Sequence, residues 1–411
     1  MSLIRLNTRS LPDSAVTTAK VADNAVTTAK VNADAITNAK IADDAIQTEN
    51  VNSGVNLGRR NILINGAMQI YQRGSTTFAH DGTTSGYSLD RFNMALGGTH
   101  EQLDGTLAQV ADHPTSANGK SLKWTTGTPE TSYDADEYIY LTQKIEAQNV
   151  QHLNYSNSGA KTITVSFYVK SSITGTYALG LYKPDNVARI FNKTYTISSA
   201  NTWEKKTVTF VGDVSGTSIN NDNGQGLWVT WHLAAGANAK GASSSSGWVN
   251  YAGLSNWADG QGTNAVMTTA SATWQMTECQ VEVGDTETDF EHRSFAEELI
   301  LCQRYYYRRT VSTGYVEYMP YAIAYATTDI QGGAFHPVKM RASPTLAFSG
   351  VLKISQGNAV VTSSSLNFTS TSTPDTMVFY THSSAFSGLT QFRGYSVYGN
   401  ANDYMEVNSE L

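Results

Sequence analysis

Between residues 15 and 51 a valine or isoleucine recurs at every fifth position: Val16, Val21, Val26, Val31, Ile36, Ile41, Ile46 and Val51. Alanine, threonine, aspartate and asparagine fill most of the intervals. A stripe this thin in apolar bulk cannot be buried against its own chain, so the missing surface has to come from other copies. An interval of five fits neither the helical period of about 3.6, nor strand alternation, nor coiled-coil heptads. The larger unit is ten residues, AVTTAKVADN at 15–24, AVTTAKVNAD at 25–34 and AITNAKIADD at 35–44. Short helical turns opened by Thr17, Thr27 or Thr37, alternating with extended passages through Asp23, Asp34 or Asp43, would line the aliphatics along a symmetry axis. The alternative is an irregular leader that happens to repeat. The pattern predicts an attachment region and repetitive oligomeric shaft over 1–57.

Beyond the repeat, 411 residues leave room for two or three domains, and a 40% hydrophobic content supplies real cores. Only 15% of residues are charged, while glycine, serine, threonine and asparagine abound; this suits turn-rich antiparallel β structure. A formal charge of -7 argues against a nucleic-acid partner, whose phosphates call for a basic footprint. Cys279 and Cys302 are too few for a disulfide scaffold and read as buried thiols. The opening MSLIRLNTRSLPDS has no apolar core for a signal peptide, and no run of apolar residues is long enough to span a membrane.

A mainly β organisation follows. At 56–74, NLGRRNILINGAMQIYQRG offers a short strand at Ile62–Ile64, an Asn65-Gly66 turn and a second element from Met68. Further strands are expected at 138–145, 161–172, 176–182, 203–212, 227–236 and 274–284, with Ile163, Val165, Phe167 and Val169 on one face. Their alternation predicts a jelly-roll-like β-sandwich over 58–295, resembling a carbohydrate-binding module in architecture. No glycine-rich phosphate loop and no βα alternation is present. At 291–310, Ser294 and Glu297 form a capping box for the one clear helix, which would set Phe295, Leu299, Cys302 and Tyr306 against a sheet and end near Arg304, Arg308 and Arg309. It leads into a β-rich C-terminal knob over 296–411. There Tyr315, Tyr318, Tyr321, Tyr325, Phe392, Tyr395, Tyr398 and Tyr404 read as partly exposed strand residues, or as a second recognition surface.

All seven tryptophans lie between residues 124 and 274. Trp203, Trp228 and Trp274 fall in strand patterns and read as core. Trp248 and Trp257 instead sit in the polar loop GASSSSGWVNYAGLSNWADGQGTN. Rings held out on such a loop can stack on a sugar, with Asn250, Tyr251, Asn256, Asp259 and Gln261 supplying directional polar contacts. Equally, the two rings could pin the loop to the sandwich. The candidate ligand site is therefore Trp248, Asn250, Tyr251, Asn256, Trp257 and Asp259.

NILINGAMQIYQRG at 61–74, the stretch from Trp274 to Arg308, HPVKMRASPTLAF at 336–348 and the N-terminal repeats together resemble tail-fibre and receptor-binding proteins of tailed bacterial viruses. The resemblance implies a homotrimeric virion fibre, joined to a tail or baseplate protein near its N-terminus and assembled in the host cytoplasm. Its distal β domains would recognise host surface polysaccharide or lipopolysaccharide. Two alternatives stay open, a structural fibre or head-decoration protein without receptor binding, and a polysaccharide depolymerase.

No catalytic constellation stands out, and we expect no enzyme. Glycoside hydrolysis needs paired carboxylates, but Asp134, Asp136 and Glu137 read as a turn before a strand. Glu282, Asp285, Glu287, Asp289 and Glu291 read as the link into the capped helix. His232, His292 and His336 lack zinc-ligand spacing. A calcium site built from Asp134, Asp136 or Asp222 with loop carbonyls is conceivable, though no spacing motif specifies it, and no cofactor is expected.

Overall fold

The segment at 161–172 shows how the chain builds its layers. Ile163, Val165, Phe167 and Val169 are all fully buried, while Tyr168 and Lys170 on the opposite face keep partial access to solvent. That two-residue period makes one face of a sheet apolar and forces it against another layer. In the computed structural model, residues 59–411 are described except 82–84, 101, 242–245, 312–316, 357–358, 364–366 and 383. The expected shaft lies outside the described residues. Residues Asn56–Leu411 form one unit.

Twelve strands make the sandwich: β1 (Thr77–His80), β2 (Asn93–Gly97), β3 (Gly105–Val110), β4 (Ser121–Thr126), β5 (Tyr138–Glu146), β6 (Ile163–Ser171), β7 (Gly175–Lys183), β8 (Arg189–Ile197), β9 (Glu204–Phe210), β10 (Gln225–Ala235), β11 (Val249–Asn250) and β12 (Thr273–Val283). One six-stranded sheet runs β1-β3-β4-β12-β6-β9, the other β11-β8-β7-β10-β5-β2. From β4 to β7, and again from β8 to β10, the chain changes sheet at every step, which gives the jelly-roll character. The inner faces meet ring on ring. Phe167 of the first sheet stands 5.1 Å from Tyr195 and 5.9 Å from Trp231 of the second.

Several expected elements differ. Residues 61–71 form no strand: Asn65, at φ 62°, accepts from the Gln69 and Ile70 amides and donates to the Ile70 and Asp90 carbonyls. Local side-chain hydrogen bonds there outcompete a ladder. Trp203 and Trp228 are half-buried rather than core; Trp124, Trp231 and Trp274 fill the interior. Strands β1 to β4, β8 and β11 were not expected from the alternation.

The helix α1 (Phe295–Gln303) is capped as expected, the Ser294 hydroxyl accepting from the Glu297 amide at 3.3 Å. It is shorter than the sequence suggested. Tyr306–Thr310 is instead a strand paired with Tyr404–Asn408, because three successive tyrosines favour a pleated surface. Phe295 is exposed and only Cys302 of the helix is buried, so the expected apolar face does not form. Beyond the helix lie a three-stranded and a seven-stranded sheet around a second core that includes Tyr318, Phe379, Tyr395 and Val397. Tyr318, Tyr395 and Tyr398 are buried, not partly exposed. The three arginines are held within the chain: Arg304 grips Glu146 at 2.7 and 2.8 Å, Arg308 lies 3.3 Å from the Tyr404 ring centroid, and Arg309 donates to the Tyr318 carbonyl. Among the described residues no helix is long and apolar enough to cross a membrane.

Candidate functional site

The outer face of the second sheet is unusually aromatic. Register places Tyr140 and Lys144 of β5 beside His232 and Trp228 of β10, and Trp228 in turn beside Tyr182 of β7. Their neighbours Ile139, Leu141, Leu179, Leu181, Val229 and Trp231 point the other way and are fully buried in the core. An outward strand position ordinarily carries a polar residue; here the rings of Tyr138, Tyr140, Tyr182 and Trp228 stand half-buried. Tyr138 and Tyr140 are nearly parallel, with centroids 5.8 Å apart. The Lys144 ammonium lies 4.4 Å from the Trp228 ring centroid, within cation–π range.

Trp257 is the keystone of this face. Its side chain is 5% exposed and makes edge contacts with Tyr140, Tyr182, Trp228, His232 and Tyr251 at 5.3 to 6.1 Å. Gly180 lets Asn192 and His232 close on the sheet, since a Cβ there would stand 2.5 Å from Asn192 Oδ1 and 3.3 Å from His232 Nε2. His232 is fully buried, and burial pushes its imidazole down to a pKa of about 3. It is therefore a neutral part of the floor across physiological pH.

The sequence-selected residues divide between framework and surface. Asn256 is buried and staples the loop, accepting from the Ala252 amide and donating to the Asn250 carbonyl, both at 3.0 Å. The Asn192 amide fixes that loop to the sheet by donating to the Asn256 carbonyl at 2.9 Å. Gln261 accepts from the Ala178 amide at 2.7 Å, and Asp259 is also buried. Trp248 packs at the sandwich edge between Tyr155 and Phe191 and donates from its indole to the Val211 carbonyl. Asn250 is exposed, and Trp248 and Tyr251 are half-buried. Trp257 is thus buried beneath the loop, and Tyr138, Tyr140, Tyr182 and Trp228 join Trp248 and Tyr251 as half-buried rings that strand alternation did not single out.

A buried charge cluster sets the position of the loop. Asp213 Oδ2 accepts from Lys183 Nζ at 2.7 Å and from Arg189 Nε at 2.9 Å. The same Arg189 guanidinium donates to Asn250 Oδ1 and to the Trp248 carbonyl, each at 2.9 Å. One carboxylate therefore aims an arginine whose remaining donors hold both ends of the Trp248–Asn250 segment.

The acidic residues noted in the sequence have separate surroundings, apart from Glu137, which turns inward beside Glu130. Asp134 and Asp222 are exposed, and Asp222 accepts from the Gly224 amide in a turn before β10. Glu282 is taken up by Gln280 and Thr288, and Glu291 by the Asn61 amide. A cleft of about 430 Å³ lies elsewhere, lined by His113, Glu278, Glu291, His292 and Arg293 among others; it shares no residue with the aromatic face.

No protein-family model and no curated protein matches the chain. Among solved structures, the enzymatically active domain of tailspike protein 4 of bacteriophage CBA120 is similar at 11% identity and TM-score 0.30, over 55% of this chain and 21% of that one. This chain thus corresponds to only that 21% share of the tailspike domain's length. A putative sugar binding protein from Bacteroides thetaiotaomicron is similar at 9% identity and TM-score 0.27, over 55% and 100%. A family 11 carbohydrate-binding module from Clostridium thermocellum, in complex with a mixed-linked tetrasaccharide, stands at 10% and 0.25, over 52% and 99%. Likenesses this distant assign no ligand or reaction.

Proposed function

We propose that the protein is a glycan-binding virion fibre that mediates adsorption to a host cell, and that its sugar site is the outer face of the second sheet with the loop at 248–259. The observation that carries this reading is a row of half-buried rings, Tyr138, Tyr140, Tyr182, Trp228 and Tyr251, four of which pack edge-on against a buried Trp257. Aromatic rings fixed in this way offer flat apolar surface at low entropic cost to the apolar face of a pyranose. Asn250 and Lys144 sit at the edge of the row, where hydrogen bonds can discriminate hydroxyl orientation. The six residues selected from the sequence serve this site in two roles: Trp248, Asn256, Trp257 and Asp259 as its frame, Asn250 and Tyr251 as its surface. The repeats at 1–57 would assemble three chains and join them to the tail, so that weak single-site affinity becomes strong avidity.

The test is binding to host capsular polysaccharide or lipopolysaccharide. Trp228→Ala or Tyr182→Ala should weaken single-site binding by about 2 kcal/mol, roughly 30-fold, with oligomer mass unchanged. Unaltered affinity in both variants would remove the face from consideration. New reducing ends after incubation would show a depolymerase instead.

A further inference from the structure

Two loops of the sandwich meet at a buried imidazole. His100 follows β2, Glu130 lies between β4 and β5, and Glu137 immediately precedes β5. Their side chains are 0, 3 and 1% exposed. The approach depends on Gly98, at φ +87°, where a Cβ would stand 2.7 Å from the Asp136 carbonyl oxygen and from Glu137 Cα. His100 Nδ1 is 3.5 Å from Glu130 Oε1 and 3.6 Å from Glu137 Oε1, and one donor atom from each residue lies within 4.8 Å of the others. Neither ring nitrogen of His100 has a hydrogen-bond partner.

These spacings decide between two arrangements. Direct charge-assisted hydrogen bonds between imidazolium and carboxylate run at about 2.7–2.9 Å, well short of what is seen. Ligand atoms held about 2.1 Å from one ion in a tetrahedron stand about 3.4 Å from each other, close to the observed separations. Charge points the same way. Two carboxyl groups buried side by side are costly to ionise alone, and a dication between them would offset that cost. Backbone amides also fix the carboxylates: Glu130 Oε1, the oxygen nearest His100, accepts from the Leu103 amide at 3.0 Å, and Glu137 Oε2, the one away from His100, from the Asp134 amide at 2.9 Å.

We propose that His100, Glu130 and Glu137 bind a first-row transition-metal dication of the zinc class. One imidazole and two carboxylates suit such an ion, whereas calcium and magnesium take larger shells made of oxygen. The ion ties the exit of β2 to the entry of β5. Because Tyr138 follows Glu137 directly and begins the strand that carries Tyr140, the metal fixes one end of the aromatic face. The site is sealed, so the ion enters as the chain folds.

The intact chain, unfolded with EDTA and refolded with Zn²⁺, Co²⁺ or Ca²⁺, provides the test. We expect about one zinc per chain by elemental analysis, a melting temperature higher with Zn²⁺ than with Ca²⁺ or EDTA, and the intense visible absorption of four-coordinate Co²⁺. His100→Ala and Glu137→Gln should each lower zinc affinity by roughly 100-fold or more and abolish the Co²⁺ band. A wild-type chain that refolds with no zinc and melts identically in EDTA would overturn the proposal, as would a folded His100→Ala variant that keeps both metal and band. Should the variants fail to fold, the wild-type refolding series still decides it. Loss of zinc without loss of glycan binding would leave the aromatic site standing by itself.

Discussion

Replacing Trp257 by alanine separates a foundation from a contact surface. The indole is 5% exposed and touches five rings, so the substitution removes a large buried group from a floor that includes fully buried His232. A buried tryptophan covers roughly 150–250 Å², and truncating one costs about 3–5 kcal/mol once the residual cavity is included. With an unfolding entropy of about 2.1 cal/mol/K per residue, a loss of about 4 kcal/mol lowers the melting temperature by roughly 5–9 °C, depending on whether the sandwich melts alone or with the C-terminal sheets. Far-UV circular dichroism in a urea titration reads this without relying on the fluorescence that the mutation alters. Trp228→Ala on the same face should cost less than about 2 kcal/mol because that ring is already half in solvent. The expected pattern is that Trp257→Ala loses stability and glycan binding together, while Trp228→Ala loses binding with little change in the urea midpoint. A Trp257→Ala variant within about 0.5 kcal/mol of wild type would refute the keystone role, and with it the reason for preferring the strand rings over the loop.

Asp213→Ala should destabilise by about 3–5 kcal/mol in the same titration, because it strands buried Lys183 and Arg189 without their shared anion; glycan binding should fall with it, since Arg189 holds Trp248 and Asn250. Asp90, fully buried near Arg73, Arg91 and Glu410, has its carboxyl pushed up by burial to a pKa of about 7. The folded state then keeps a proton that the unfolded chain releases, so stability falls as pH rises from about 4 to about 7, and Asp90→Asn should abolish that decline and gain on wild type at pH above about 7. His232 acts with the opposite sign. Its folded pKa of about 3 means that stability is lost as pH falls from about 6.5 towards 3, and His232→Phe should flatten that limb when urea midpoints are compared across pH.

What could be read from the chain alone depended on whether the deciding contacts were local. The alternation at 161–172 exposed its own inner face, because a two-residue period needs no knowledge of the rest of the fold. At 61–71 the same reasoning failed, since Asn65 spends its amide on four local and near-local partners that no periodicity encodes. Alternation also says which residues share a face without saying what covers it. In YIYLTQK and LWVTWHL the outward positions carry Tyr138, Tyr140 and Trp228, and an aromatic at an outward position was the available signal for the aromatic face. His100 lies too far in sequence from Glu130 and Glu137 for any spacing rule, and it meets them because the sheet order puts β2 beside β5.

The loop at 248–264 shows most directly how composition misleads. Its amides and small polar residues suggest exposure, and exposure would have put Trp257 at the ligand. Yet Asn256, Gln261 and Asn264 direct their side chains to backbone groups at Ala252, Asn250, Ala178 and Leu233. A segment without long ladders must satisfy its buried backbone somehow, and side-chain amides do this while the loop lies flat on the sheet. Once the loop lies flat, its largest apolar ring packs against His232 and the rings of Tyr140, Tyr182 and Trp228. The same residues that make the loop look like a binding surface therefore make it a lid over Trp257, and the proposed contact surface shifts to the half-buried rings around it.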